Sequence, residues 1–162
     1  MGQVDVSPSS SIRDRILDAL QTAESEDAQS TRARTLRLVK CAMRDRDVTA
    51  RGRGHCEGCE ETDIRKLLET MVAQREVSAR EYDESGRISD AEREREEIEI
   101  IQSFLPQPLS GAALEAAVEQ VVEDLEASKL KDMGRCMTEL QNRYPGRIDT
   151  GSAGKAVRRA LG

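Results

Sequence analysis

Apolar residues recur along this chain at intervals of three and four, the spacing that gathers them on one side of a 3.6-residue helix. Seven such segments can be followed. The first, roughly 12–24, carries Ile12, Ile16, Leu20 and Ala23 on one side and is opened by Ser11, with Asp14 three residues on as a capping box. The second, roughly 32–47, has Leu36, Val39, Ala42 and Met43 on its apolar arc. A loop over 50–61, rich in Gly, Arg, Cys and acids, precedes a long third helix of roughly 62–84. Its stripe is Ile64, Leu67, Leu68, Met71, Val72, Ala79 and Tyr82. Ser85-Gly86 breaks that helix, and Ser89-x-x-Glu92 predicts a capping box for a fourth, reaching Phe104 or Leu105 with Ile98 and Ile101 inward.

Pro106 and Pro108 cannot continue a helix and hold the residues before them extended, so a short, stiff boundary is placed at 106–109. Ser110 is expected to cap a fifth helix with Leu114, Val118, Val121, Val122 and Leu125 on one face and Glu115, Glu119 and Glu123 opposite. The sixth, about 131–143, turns Met133, Cys136, Met137 and Leu140 inward; the seventh, about 152–161, turns Ala153, Ala156, Val157 and Ala160 inward. The pattern predicts an all-α protein with a flexible leader over 1–10, an N-terminal helical bundle-like domain over 11–105 and a three-helix C-terminal domain over 110–162. Three helices in some fifty residues bury little, so this second domain is expected to gain from contact with a neighbour or partner.

Composition supports helices over sheet. Phe104, Tyr82 and Tyr144 are the only aromatic residues, leaving Leu, Ile, Val, Ala and Met to build the cores. The net charge of −6 is uneven: 17 Lys and Arg stand against 23 Asp and Glu up to Pro106, and eight against eight beyond it. Bulk positive charge is thus absent, and any nucleic-acid contact must come from local clusters. No apolar run approaches the length of a membrane span and no signal-peptide core opens the chain, so a cytoplasmic protein with no membrane partner is expected. Met1-Gly2 fails as a myristoylation signal because Val6 stands where Ser or Thr is needed.

Candidate chemistry is sparse. His55-Cys56-Glu57-Gly58-Cys59 offers half of a zinc site, but tetrahedral zinc needs two more ligands, and Cys41 and Cys136 sit within helices. The loop is read as an ordinary connection, with a metal at His55, Cys56 and Cys59 or a regulatory disulfide as the lesser alternatives. His55 is the only histidine, which leaves no nucleophile constellation, and there is no phosphate-binding or dinucleotide fingerprint. No catalytic residue, cofactor or metal is expected. Arg75 falls inside the apolar stripe of the third helix, where an unpaired guanidinium would be costly; a pairing with Glu94 or Glu97 is predicted.

Two basic clusters could meet RNA. On the seventh helix Lys155, Arg158 and Arg159 lie opposite the apolar residues, with Lys131 and Arg135 near in sequence; Lys129, Arg143 and Arg147 are close as well. On the second, Arg37, Lys40 and Arg44 fall within about 60° of one another by helical phase, and Arg51 and Arg53 follow. The bland reading of both is a solvated face balanced by acids. Without an aromatic platform for unstacked bases, a structured RNA gripped by its phosphates fits better than a single strand.

Three stretches carry a family likeness: Ser103-Phe104-Leu105-Pro106-Gln107-Pro108-Leu109-Ser110, the glutamate-rich run Glu92 to Ile101 before it, and Lys131-Asp132-Met133-Gly134-Arg135-Cys136-Met137 with Tyr144-Pro145-Gly146-Arg147-Ile148-Asp149 after it. From about Ile12 to Leu161 the chain resembles the GatB/YqeY family, and within it the free-standing YqeY-like proteins. The family also includes the tail of the B subunit of aspartyl/glutamyl-tRNA amidotransferases. The resemblance implies a helical domain joined to a three-helix tail, a tie to carbon–nitrogen ligation with glutamine as amide donor, and tRNA or an amidotransferase as partner. In the amidotransferase the tail touches the outer corner of tRNA, which favours the cluster of the seventh helix. The kinase-like catalytic portion has no counterpart in these residues. A tRNA-linked module without its own catalytic site is expected, no DNA contact is expected, and the alternative is a protein-interaction adaptor that binds no RNA.

Overall fold

The computed structural model describes residues 10–162, so the leader expected over 1–10 lies, but for Ser10, outside the described residues. The described chain is all-helical: α1 (Ile12–Asp27), α2 (Thr31–Gly52), α3 (Glu61–Glu84), α4 (Ile88–Gln102), α5 (Gly111–Asp124), a single 3-10 turn (Leu130–Asp132), α6 (Met133–Arg143) and α7 (Thr150–Leu161). Contacts divide it into two compact units that meet in sequence between Leu105 and Pro106. No described helix is long and apolar enough to cross a membrane.

In the first unit the predicted stripes converge. Ile16, Leu36, Met43, Ile64, Leu68 and Ile101 are among its most deeply buried side chains. Ser11 caps α1 as expected, its hydroxyl accepting from the Asp14 amide at 3.1 Å, and Ser30 caps α2 by accepting from Ala33. The end of α3 is set by Gly86, whose φ of +75° lets the Arg87 amide donate back to the Tyr82 carbonyl at 2.8 Å. Arg87 then lies over the Tyr82 ring, 4.6 Å from its centroid.

That closure corrects the expected Ser89 capping box: α4 begins at Ile88 with Arg87 in the capping position, and Ser89 is already helical. That end has no side-chain capping bond; Asp90 in the first turn accepts from the Arg87 guanidinium at 2.8 Å. The helix stops at Gln102, short of Phe104, whose buried ring meets the Arg32 guanidinium 5.8 Å from its centroid. The second helix also runs five residues further than its apolar pattern, to Gly52, and Asp47 within it is buried against Arg13.

In the second unit Leu114, Val118 and Val121 of α5 pack with Cys136 and Leu140 of α6 and with Ala153, Ala156 and Val157 of α7. Ser110 occupies the capping position of α5 without a side-chain capping bond. Ala160, expected inward, is exposed, and Leu161 takes the buried place. By phase both belong to the inner side, but a methyl at the last turn is too short to close against α5, and Ala160 lines a surface groove there with Val122.

Two of the sequence motifs meet in this unit. Tyr144-Pro145-Gly146-Arg147 forms a tight turn, with Gly146 at φ +71° and the Arg147 amide donating to Tyr144 at 3.0 Å. Its Arg147 carbonyl accepts from Leu109 at 2.7 Å, and the Arg147 Nε donates to the Gln107 carbonyl at 3.0 Å. The proline segment is thereby hydrogen-bonded to the loop before α7.

Candidate nucleic-acid interface

Asp149 starts α7 by accepting from the Ser152 amide at 2.9 Å, a bond that holds its carboxyl below the usual range. The short apolar face of α7 then turns Ala153, Ala156, Val157 and Leu161 into the core, which leaves Lys155, Arg158 and Arg159 on the solvent side. Their environments differ. Arg159 is ion-paired with Glu115 of α5, whereas Lys155 and Arg158 have no acidic partner among the described residues.

The start of α6 lies beside this helix. A Cβ placed on Gly154 would sit 3.5 Å from the Met133 methyl, an ordinary packing distance, so α7 meets the 131–134 segment at Gly154. Lys131 there is exposed and has no acidic partner among the described residues, while Arg135 pairs with Asp132 at 3.0 Å. Asp132 also accepts from the Ser128 and Lys129 amides, and these bonds, with Ser128 foremost, hold it ionised. A carboxylate fixed at that helix start opposes an incoming phosphate, even though Gly134 is open to solvent. Arg143 is shared between Asp124 and Glu139 at 2.7 and 2.8 Å, and Arg147 is committed to the proline segment. Of the predicted C-terminal cluster, then, Lys131 and Arg158 stand without acids, Lys155 makes no ion pair but lies within the field of the Asp149 carboxylate, and Arg135 and Arg159 are paired.

The α2 cluster is split in the same way. Arg37 donates to Glu24 at 2.7 Å and to the Ala28 carbonyl at 2.6 Å, bracing the turn between α1 and α2. Lys40 and Arg44 have no acidic partner among the described residues.

The cysteine loop has a different purpose from the one its motif suggests. Buried Asp47 takes a two-pronged hydrogen bond from Arg13 at 2.7 and 2.8 Å, and one of its oxygens also accepts from the Cys59 amide at 3.0 Å and the Cys59 thiol at 3.1 Å. The Arg13 bonds hold the Asp47 carboxyl far below the usual carboxylate range. Burial pushes the Cys59 thiol up, and the Asp47 charge pushes it further, so the sulfur stays protonated as a donor. Gly58, at φ +99°, makes the approach: a Cβ there would stand 2.6 Å from the Asp47 oxygen. Cys56 is exposed, and its sulfur faces the Gly54 carbonyl at 3.9 Å. Among the described residues no three His, Cys, Asp or Glu side chains converge as metal ligands. Asp47 and Arg13 were not legible as a site, although an acid in helical phase with Leu36, Val39 and Met43 was the available signal.

Arg75 is met as expected by α4. Its Nε donates to Glu97 at 2.9 Å and its Nη1 to the Met71 carbonyl at 3.2 Å. Glu94 stands beside the pair, its carboxyl pushed up by burial and by the Glu97 charge.

The family model described as Yqey-like protein matches residues 13–161. A search of curated proteins finds no match.

Proposed function

The chain belongs to the Yqey-like protein family, and from that premise we propose that it is a tRNA-binding module with no catalytic site of its own, working beside a glutamine-dependent amidotransferase. The observation that carries this reading is the pair Lys155 and Arg158, exposed on α7 without an ion pair among the described residues, with the equally unpaired Lys131 in the segment whose Met133 packs near Gly154 of the same helix. Three cations held on packed helices suit phosphates of a structured RNA, since phosphate contacts position a protein without needing base-specific groups. The likeness of residues 103–110 and 131–149 to the amidotransferase B-subunit tail supports the same face, because that tail meets the outer corner of tRNA. Amidation would need carboxylate activation and ammonia delivery, and two of the four cysteines are engaged elsewhere: the Cys136 thiol is buried and pushed up by desolvation, and the Cys59 thiol serves Asp47.

The test is tRNA binding at low salt by the wild-type chain, Lys155→Ala/Arg158→Ala and Arg159→Ala. The double variant is expected to bind weakly and Arg159→Ala nearly as the wild type, because Glu115 already neutralises Arg159. Equal binding by wild type and double variant, or none by either, transfers the case to the protein-interaction adaptor.

A further inference from the structure

Outside the α7 face, the first unit carries a groove of about 450 Å³ between α1 and α2. Its floor is apolar: Met43 is buried, Leu17 is 36% exposed and Val48 is 67% exposed. Its rim is basic. Lys40, Arg44 and Arg51 line it together with Val48, and all four fall on one side of α2 within about 80° of helical phase, over about 16 Å of helix.

The one acid that lines the groove, Asp47, is already taken, and so is Glu24 farther along α1. Asp47 is closed by Arg13 and Cys59, and Glu24 by Arg37. In a chain of net charge −6, this is a local excess of positive charge with a hydrophobic strip between its members. Such a surface has unmet partners of both kinds, apolar and anionic, in a single line.

We infer that the α1–α2 groove docks an acidic amphipathic helix of a partner protein. A helix in the groove lays its apolar stripe on Leu17, Met43 and Val48 while carboxylates one turn apart face Lys40, Arg44 and Arg51. RNA answers only half of this surface: phosphates pair with the rim but have nothing to set against Val48 and Leu17, and no aromatic side chain lines the groove to stack a base. The inference is independent of the tRNA reading, which uses the other unit.

The experiment takes the full chain and a fluorescent peptide of about 18 residues with Leu along one stripe and Glu at flanking positions one turn apart, long enough to cover the groove. Saturable binding is expected, with amide shifts in NMR confined to α1 and α2. Val48→Asp, at an exposed position that leaves the core intact, weakens it by about tenfold, as loss of one buried apolar anchor plus a like charge should. Lys40→Glu/Arg44→Glu weakens it at least as much and removes the loss of affinity with added salt that the wild type shows at these two positions, and Lys155→Ala/Arg158→Ala leaves it unchanged. The inference is overturned if no saturable binding occurs at low salt, if a Leu→Ser peptide binds as well, or if both groove variants bind as the wild type. It is equally overturned if tRNA displaces the peptide and Lys40→Glu/Arg44→Glu abolishes tRNA binding, which would make the groove an RNA site.

Discussion

Thr35 places its hydroxyl in the core of the first unit at 1% exposure with no hydrogen-bond partner among the described residues. An unsatisfied buried hydroxyl costs desolvation without return, so Thr35→Val is expected to raise stability by about 1 kcal/mol, read from chemical denaturation. Asp47 is the opposite case, a buried carboxylate with every near neighbour donating to it. Because its folded pKa lies below the unfolded one, its contribution is present above about pH 4 and is lost as pH falls toward the depressed folded value. Asp47→Asn should therefore lower stability at neutral pH by about 1–2 kcal/mol, the partly exposed Arg13 limiting the loss, and the gap to wild type should narrow as pH drops below about 4. A gap that is constant from pH 7 to pH 3 would separate Asp47 from the acid dependence.

At the scale of elements, two devices fix how helices of the first unit meet. The first is the α2–α3 loop, seated by Gly58 against Asp47. Gly58→Ala forces a side chain into a left-handed backbone and into contact with the carboxylate, and a cost of about 2–3 kcal/mol is expected in melting or denaturation, whereas alanine at open Gly52 should cost far less. The second is the Arg75–Glu97 pair between α3 and α4. In a double-mutant cycle with Arg75→Met and Glu97→Leu, each single change should destabilise and the double should recover much of the loss, with a coupling of roughly 1–2 kcal/mol. Additive losses would mean that the pair holds no register.

The helices themselves were legible because burial follows the period of the apolar residues, and Arg75 was legible because a charge inside an apolar stripe demands a partner. What escaped was set by groups distant in sequence. Asp47 can be a buried acid within α2 only because Arg13 and Cys59 reach it from elsewhere. Ser89 lost the capping position because the Gly86 turn and the Arg87–Tyr82 contact begin α4 earlier. The His55-Cys56-x-x-Cys59 motif could not reveal that Cys59 faces a carboxylate, since spacing reports ligand types and not what the fold puts opposite them.

For the whole molecule, charge must be counted after pairing. The sequence offers eight cations beyond Pro106, yet Arg135, Arg143 and Arg159 are neutralised by neighbouring acids and Arg147 is spent on the proline segment. What remains is Lys129, Lys131, Lys155 and Arg158, with only the last two on α7, a smaller electrostatic footprint than a helical wheel suggests. It predicts weak binding with a shallow but definite salt dependence, carried by the second unit, while the first unit keeps its own basic groove for another class of partner.

The central claim, that α7 meets RNA phosphates through Lys155 and Arg158, is tested most directly by the slope of log tRNA affinity against log salt for the wild-type chain and Lys155→Ala/Arg158→Ala. Each phosphate contact contributes roughly 0.7–0.9 to that slope, so the double variant should flatten it by about 1.4–1.8. A slope identical in the two proteins would contradict the claim.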